Sequence, residues 1–133
     1  MFGKKKHPPI KSLIAQGTVI TGNVSFTDGL RIDGEIKGNV VAVGGQGSIL
    51  VVSETGMVYG EIRADLIVIN GVVNGPVFAA DLLELQPKGR VEGDVSYKAL
   101  EMHQGATILG TLQPMVAEAV PDKAPLKLAA SNG

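Results

Sequence analysis

No cysteine occurs among the 133 residues, which excludes a disulfide framework and thiolate chemistry and suits a reducing cytoplasm. Tryptophan is also absent, with only three phenylalanines and two tyrosines, so a thick globular core has little to fill it. The core vocabulary that remains is Val, Ile, Leu and Ala, which suits a thin, regularly filled interior. No apolar run approaches the roughly 20 residues a spanning helix needs. The basic start is not followed by an apolar segment of ~7–15 residues, so no secretory signal is expected. Residues 17–112 carry six basic residues against eleven acidic ones, a poor surface for phosphate backbones, and no nucleic-acid partner is expected. The positive charge sits instead at one tip, where Lys4, Lys5, Lys6 and Lys11 have no acid among them.

Catalytic groups are equally sparse. His7 lies in the basic tip and His103 near the end of the patterned region, and the sequence places no second ligand beside either. The stretch "GGQGS" (Gly44 to Ser48) lacks the Lys-Ser/Thr of a phosphate loop, and no helical pattern follows it. "DGLRIDGE" has acids at 28, 33 and 35 without the ligand order of an EF-hand, and reads as a solvated turn. No enzyme, metal or cofactor is expected.

What the chain has is a repeat. Gly-x-Val-x-Gly-x-Val, with Ile sometimes replacing Val, occurs at "DGEIKGNV", "TGMVYGEI", "NGVVNGPV" and "KGRVEGDV". The second glycine of each unit falls at 22, 38, 60, 75, 93 and 110, counting two degenerate outer units in which Thr18 and Ala106 replace the first glycine. Successive intervals of 16, 22, 15, 18 and 17 residues define about six units, the longest holding "GGQGS" as a loop insertion. Within each unit Ile20/Val24, Ile36/Val40, Val58/Ile62, Val73/Val77, Val91/Val95 and Ile108/Leu112 alternate with polar positions, which is the period of a strand. A second apolar cluster follows in each complete unit, at Leu30/Ile32, 49–52, 66–69, 82–85 and Leu100/Met102, in a register the pattern leaves open.

Short strands with a glycine corner every few residues describe the coils of a parallel β-helix. The expected fold is therefore all-β: a single solenoid of about six rungs over residues 17–114. Rungs ~4.8 Å apart make a rod of roughly 30 Å. Asn23, Asn39, Glu61, Pro76, Asp94 and Thr111 fall in one outward file, where Pro76 lacks a ladder donor. The flanks, 1–16 (basic) and 115–133 (Ala/Pro-rich), show no alternation and are expected to be disordered tails.

Two features suggest what the rod is for. No capping segment flanks either end, so strand edges and core would stay open to stacking, with Ile20 and Val24 at one end and Thr107, Ile108 and Leu112 at the other. At the tip, Met1 and Phe2 precede Lys4, Lys5 and Lys6. Burying Phe is worth about 1.5–3 kcal/mol, and each lysine near an anionic leaflet about 1 kcal/mol. A single such peptide binds weakly, and many on one polymer bind firmly.

"MFGKKK", six Gly-x-Val-x-Gly-x-Val rungs and Pro-containing tails together resemble the bactofilins, bacterial cytoskeletal proteins. The resemblance implies a right-handed triangular β-helix that polymerises without cofactor into filaments lacking polarity, through alternating N–N and C–C contacts. It also implies a cytoplasmic protein held at the inner face of the membrane by its N-terminal peptide, where it positions cell-wall synthesising or hydrolysing enzymes. Thr107 departs from the family, standing where a last-rung phenylalanine often serves the end contact. One rival is a left-handed β-helix acyltransferase, but those rungs repeat an aliphatic residue every six positions, whereas Ile36 and Val40 are four apart. Another is a monomeric binding rod, which would need caps.

Overall fold

The computed structural model describes residues 10–44 and 47–115. Fifteen strands are found among these residues, all paired in parallel, and the chain winds through six turns of a three-sided solenoid. The first face is one six-stranded sheet built from Val19–Thr21, Glu35–Lys37, Met57–Tyr59, Val72–Asn74, Arg90–Glu92 and Thr107–Leu109. The second and third faces form a nine-stranded sheet, because the chain bends around the corner between them, the third of each turn, without breaking the strand in Ile62–Ile69, Val77–Leu85 and Val95–Met102. The solenoid opens earlier than expected. Ser12–Ile14 already pairs with Gly29–Ile32 as the first segment of the third face, so the boundary at 17 is corrected to 12. Three residues are too short to show alternation, and their place is set by what stacks on them.

The apolar pairs read from the repeat are the core. Ile36, Val40, Val58, Ile62, Val73, Val77, Val91 and Val95 are all fully buried in the inner rungs. The second cluster has the register that the pattern left open. Leu30, Leu50, Ile67, Leu83 and Leu100 stack in one column, and Ile14, Ile32, Val52, Ile69, Leu85 and Met102 in another. At about 1.5–3 kcal/mol for each buried side chain, these columns are the main favourable term of the fold.

Glycine at the second corner, between the first and second faces, is a steric demand of stacking. A Cβ on Gly60 would lie 2.3 Å from the carbonyl oxygen of Gly38 one turn earlier, and its φ of 155° also disfavours other residues. Gly75 stands over Gly60 in the same way.

The outward file beside this corner carries its own ladder. Asn23 Oδ1 accepts the Asn39 backbone N–H, Asn39 Oδ1 accepts that of Glu61, and Asp94 Oδ1 accepts that of Thr111, at 2.9, 2.9 and 3.0 Å. At this position a side chain, not the backbone ladder, takes the N–H, so Pro76 loses no ladder bond. Its carbonyl still accepts the Ile62 N–H at 3.0 Å. The expected conflict at Pro76 is absent for that reason.

Candidate assembly faces

The two ends of the solenoid are where its pairing stops. At the N-terminal end, Ser12–Ile14, Val19–Thr21 and Val24–Phe26 each pair with one strand only, leaving one edge free among the described residues. At the C-terminal end, Thr107–Leu109 and Leu112–Pro114 are likewise paired on one side, as is the closing part of Val95–Met102. Among the described residues each end thus presents a triangle of unpaired strand edges around an apolar column that no described segment covers. Such edges attract another strand unless blocked by charge, proline or a cap.

The side chains inside these triangles are the last members of the core columns. Ile20 and Val24 close the N-terminal end, half-buried, with Ile14 beside them. Ile108 closes the C-terminal end with Leu100, while Leu112 and Met102 remain 47% and 46% exposed. The structure brings Ile20 and Val24 together at one end and Ile108 and Leu112 at the other. Thr107 stands apart from that pair: it follows Val72 and Arg90 in an outward file of the first face and flanks the end triangle. Met1, Phe2, Lys4, Lys5 and Lys6 lie outside the described residues.

Sequence reasoning missed Ile14, Leu100 and Met102 as end residues because it lacked the register of the third face. It also missed a size gradient. One inward column of the second face runs Phe26, Ala42, Ala64, Ala79, Tyr97 and Pro114, with Phe26 at the N-terminal end, Tyr97 one turn short of the C-terminal end and alanine between the two rings. The available signal was the spacing of Phe26 and Tyr97, each two residues beyond a repeat valine, Val24 or Val95.

The polar groups are mostly paired on the rod's exterior. Arg31–Asp33, Lys37–Glu35, Arg63–Glu61 and Arg90–Glu92 are ion pairs two residues apart on one strand or its margin. The Arg31 guanidinium, hydrogen-bonded to Asp33, holds that carboxyl below its ordinary pKa, with the Ser53 side chain adding to the effect. Arg63 also lies over the Phe78 ring, 4.0 Å from its centroid. Gly47 and Ser48, from the "GGQGS" stretch, sit at the third corner and are tied to an acid. The Gly47 and Ser48 N–H groups both donate to Asp65 Oδ2, and the Asp65 N–H donates to Ser48 Oγ at 3.0 Å. These two donors, of the kind a phosphate loop offers to its ligand, are taken here by a carboxylate.

One expectation is corrected. His103 is not without a neighbour: its Nε2 lies 3.2 Å from Glu84 Oε2, a residue one turn earlier.

Comparison with known proteins identifies this architecture. Residues 12–113 match the family model Bactofilin, described as polymer-forming cytoskeletal. The span begins at the strand where the solenoid begins. Bactofilin BacO of Myxococcus xanthus is 30% identical over 101 residues, covering 76% of this chain and 77% of that protein. A cryo-EM reconstruction of Thermus thermophilus bactofilin double helical filaments shares the fold, with a TM-score of 0.66 and 24% identity over 77% of this chain and 99% of that one. With this six-turn solenoid and the match over residues 12–113, the chain belongs to the bactofilin family of polymer-forming cytoskeletal proteins.

Proposed function

We propose that this protein assembles end to end, without nucleotide, into non-polar filaments through alternating N–N and C–C contacts. Held at the inner face of the cytoplasmic membrane, these filaments position cell-wall synthesising or hydrolysing proteins. The observation that carries the reading is the pair of ends left unpaired among the described residues, each with strand edges around half-buried or exposed core side chains. Two identical ends meeting about a two-fold axis form an isologous contact, and alternation of two such contacts gives a filament without polarity. Edge pairing and burial of Ile20, Val24, Ile108 and Leu112 supply the driving force, so no hydrolysis cycle is required. Membrane attachment rests on Met1, Phe2, Lys4, Lys5 and Lys6, whose weak individual binding is multiplied along a polymer.

Negative-stain microscopy of purified protein, free of nucleotide, tests the assembly. Filaments a few nanometres wide are expected, and a uniform population of monomers would overturn the reading. Co-sedimentation with anionic liposomes tests attachment separately. Phe2→Ser, or deletion of residues 1–7, should release the protein from vesicles while filaments persist, and undiminished pelleting would remove the membrane claim.

A further inference from the structure

Glu84 and Glu101 are register partners on neighbouring parallel segments of the third face, at its C-terminal edge. Like charges set directly opposite one another destabilise a sheet. Among the described residues neither carboxylate has a lysine or arginine within ion-pair distance, and His103 is the basic group that meets them. One ligand atom from each of Glu84, Glu101 and His103 lies within 4.8 Å of the other two.

The backbone fixes this grouping. The His103 N–H donates to Leu85 O at 2.9 Å, and its carbonyl accepts the Ala106 N–H at 3.1 Å, so the turn is held on both sides. Glu84 is oriented in turn, since Gln86 Nε2 donates to its Oε2 at 2.8 Å. The supporting bonds belong to the fold, and the three ligand atoms face solvent-accessible space at the rim of the rod.

We propose that Glu84, Glu101 and His103 form a binding site for a divalent transition-metal ion of the zinc class. Tetrahedral zinc with bonds of 2.0–2.2 Å to nitrogen and oxygen places its ligand atoms roughly 3.3–3.5 Å apart. The 3.2 Å separation of His103 Nε2 from Glu84 Oε2 is close to that edge, and rotation of the exposed Glu101 side chain brings in the third ligand. Water fills the fourth position. An imidazole nitrogen beside two carboxylates favours zinc, cobalt or nickel over magnesium and calcium, which prefer sites made of oxygen alone. Gln86 acts as the outer partner that holds Glu84 in place. A bound ion exchanges the Glu84–Glu101 repulsion for shared coordination on the terminal edge of the face.

Isothermal titration of zinc into the untagged full-length protein tests the site, with Co²⁺ absorption as a direct readout of coordination. One ion per chain is expected, with tetrahedral Co²⁺ bands and no comparable heat from magnesium. His103→Ala and Glu84→Gln should each weaken binding by more than about tenfold and abolish the bands. His7→Ala should leave both readouts unchanged, and thermal melts of every variant confirm that the rod is folded. Absence of zinc binding overturns the proposal, as does binding that survives His103→Ala, which would mark an adventitious ion only.

Discussion

Inner and outer rungs follow one repeat, yet equivalent residues live in different surroundings. Val77, Val95 and Leu112 occupy the same column; the first two are fully buried and Leu112 is 47% exposed. The second corner shows the same contrast. Gly60 is hemmed in by the turn below it, whereas a Cβ on Gly22 would meet nothing within 4 Å. Position within a repeat sets where a side chain points, and the neighbouring turn sets how much that direction costs. The ends therefore use core residues as a surface.

The sharpest test sets a charge in the middle against the same charge at an end. Ile62→Asp buries an unpaired carboxylate and should cost more than about 4 kcal/mol, enough to abolish cooperative melting followed by circular dichroism. Leu112→Asp should cost about 1 kcal/mol and leave the rod folded, but electron microscopy should show short dimers in place of filaments. If long filaments persist in that variant, the C-terminal end does not form the contact.

Glycine gives a smaller version of the same comparison. Gly60→Ala combines a steric clash with an unfavourable φ and should lower Tm by roughly 5–15 °C. Gly22→Ala meets only the conformational penalty of its φ of 131° and should cost about a third of that. Equal losses would show that the stacking contact contributes little.

The smallest effect belongs to the exterior. Asp33 has its pKa lowered in the folded protein, so its contribution is fully present above the unfolded value, near 3.8, and is lost as pH falls through the folded one. Asp33→Asn should therefore lower Tm at pH 7 by no more than about 2 °C, and the difference should vanish at the acid end of a pH series. A large loss at pH 7 would mean that the Arg31–Asp33 corner supports the third face.

Much of the rod was legible because two periods are written in it. Alternation assigned Ile36 and Val40 to the interior, and the 15–22-residue interval assigned them to successive turns. The second apolar cluster was harder: every residue of "ILVV" is apolar and Leu82 and Leu83 adjoin in "DLLEL", so alternation alone does not say which point inward. Register settles it, putting Leu50 and Val52 inside and Val51 on the outer surface. Ser12–Ile14 was illegible for a related reason, since three residues beside a basic tip carry no period. His103 and Glu84 are 19 residues apart, and only the stacking of one turn on the next brings their side chains together.

The sequence by itself determined the strand period, the glycine corners, the number of turns and the inward pairs of the repeat, because all of these arise from local sterics and alternation. Tertiary structure alone decided the register of the third face, the start at Ser12, the placing of Phe26 and Tyr97 on either side of the alanines in one column and the Glu84–Glu101–His103 grouping. Those depend on which residue lies one turn away, and turns of unequal length make that neighbour a property of the folded rod.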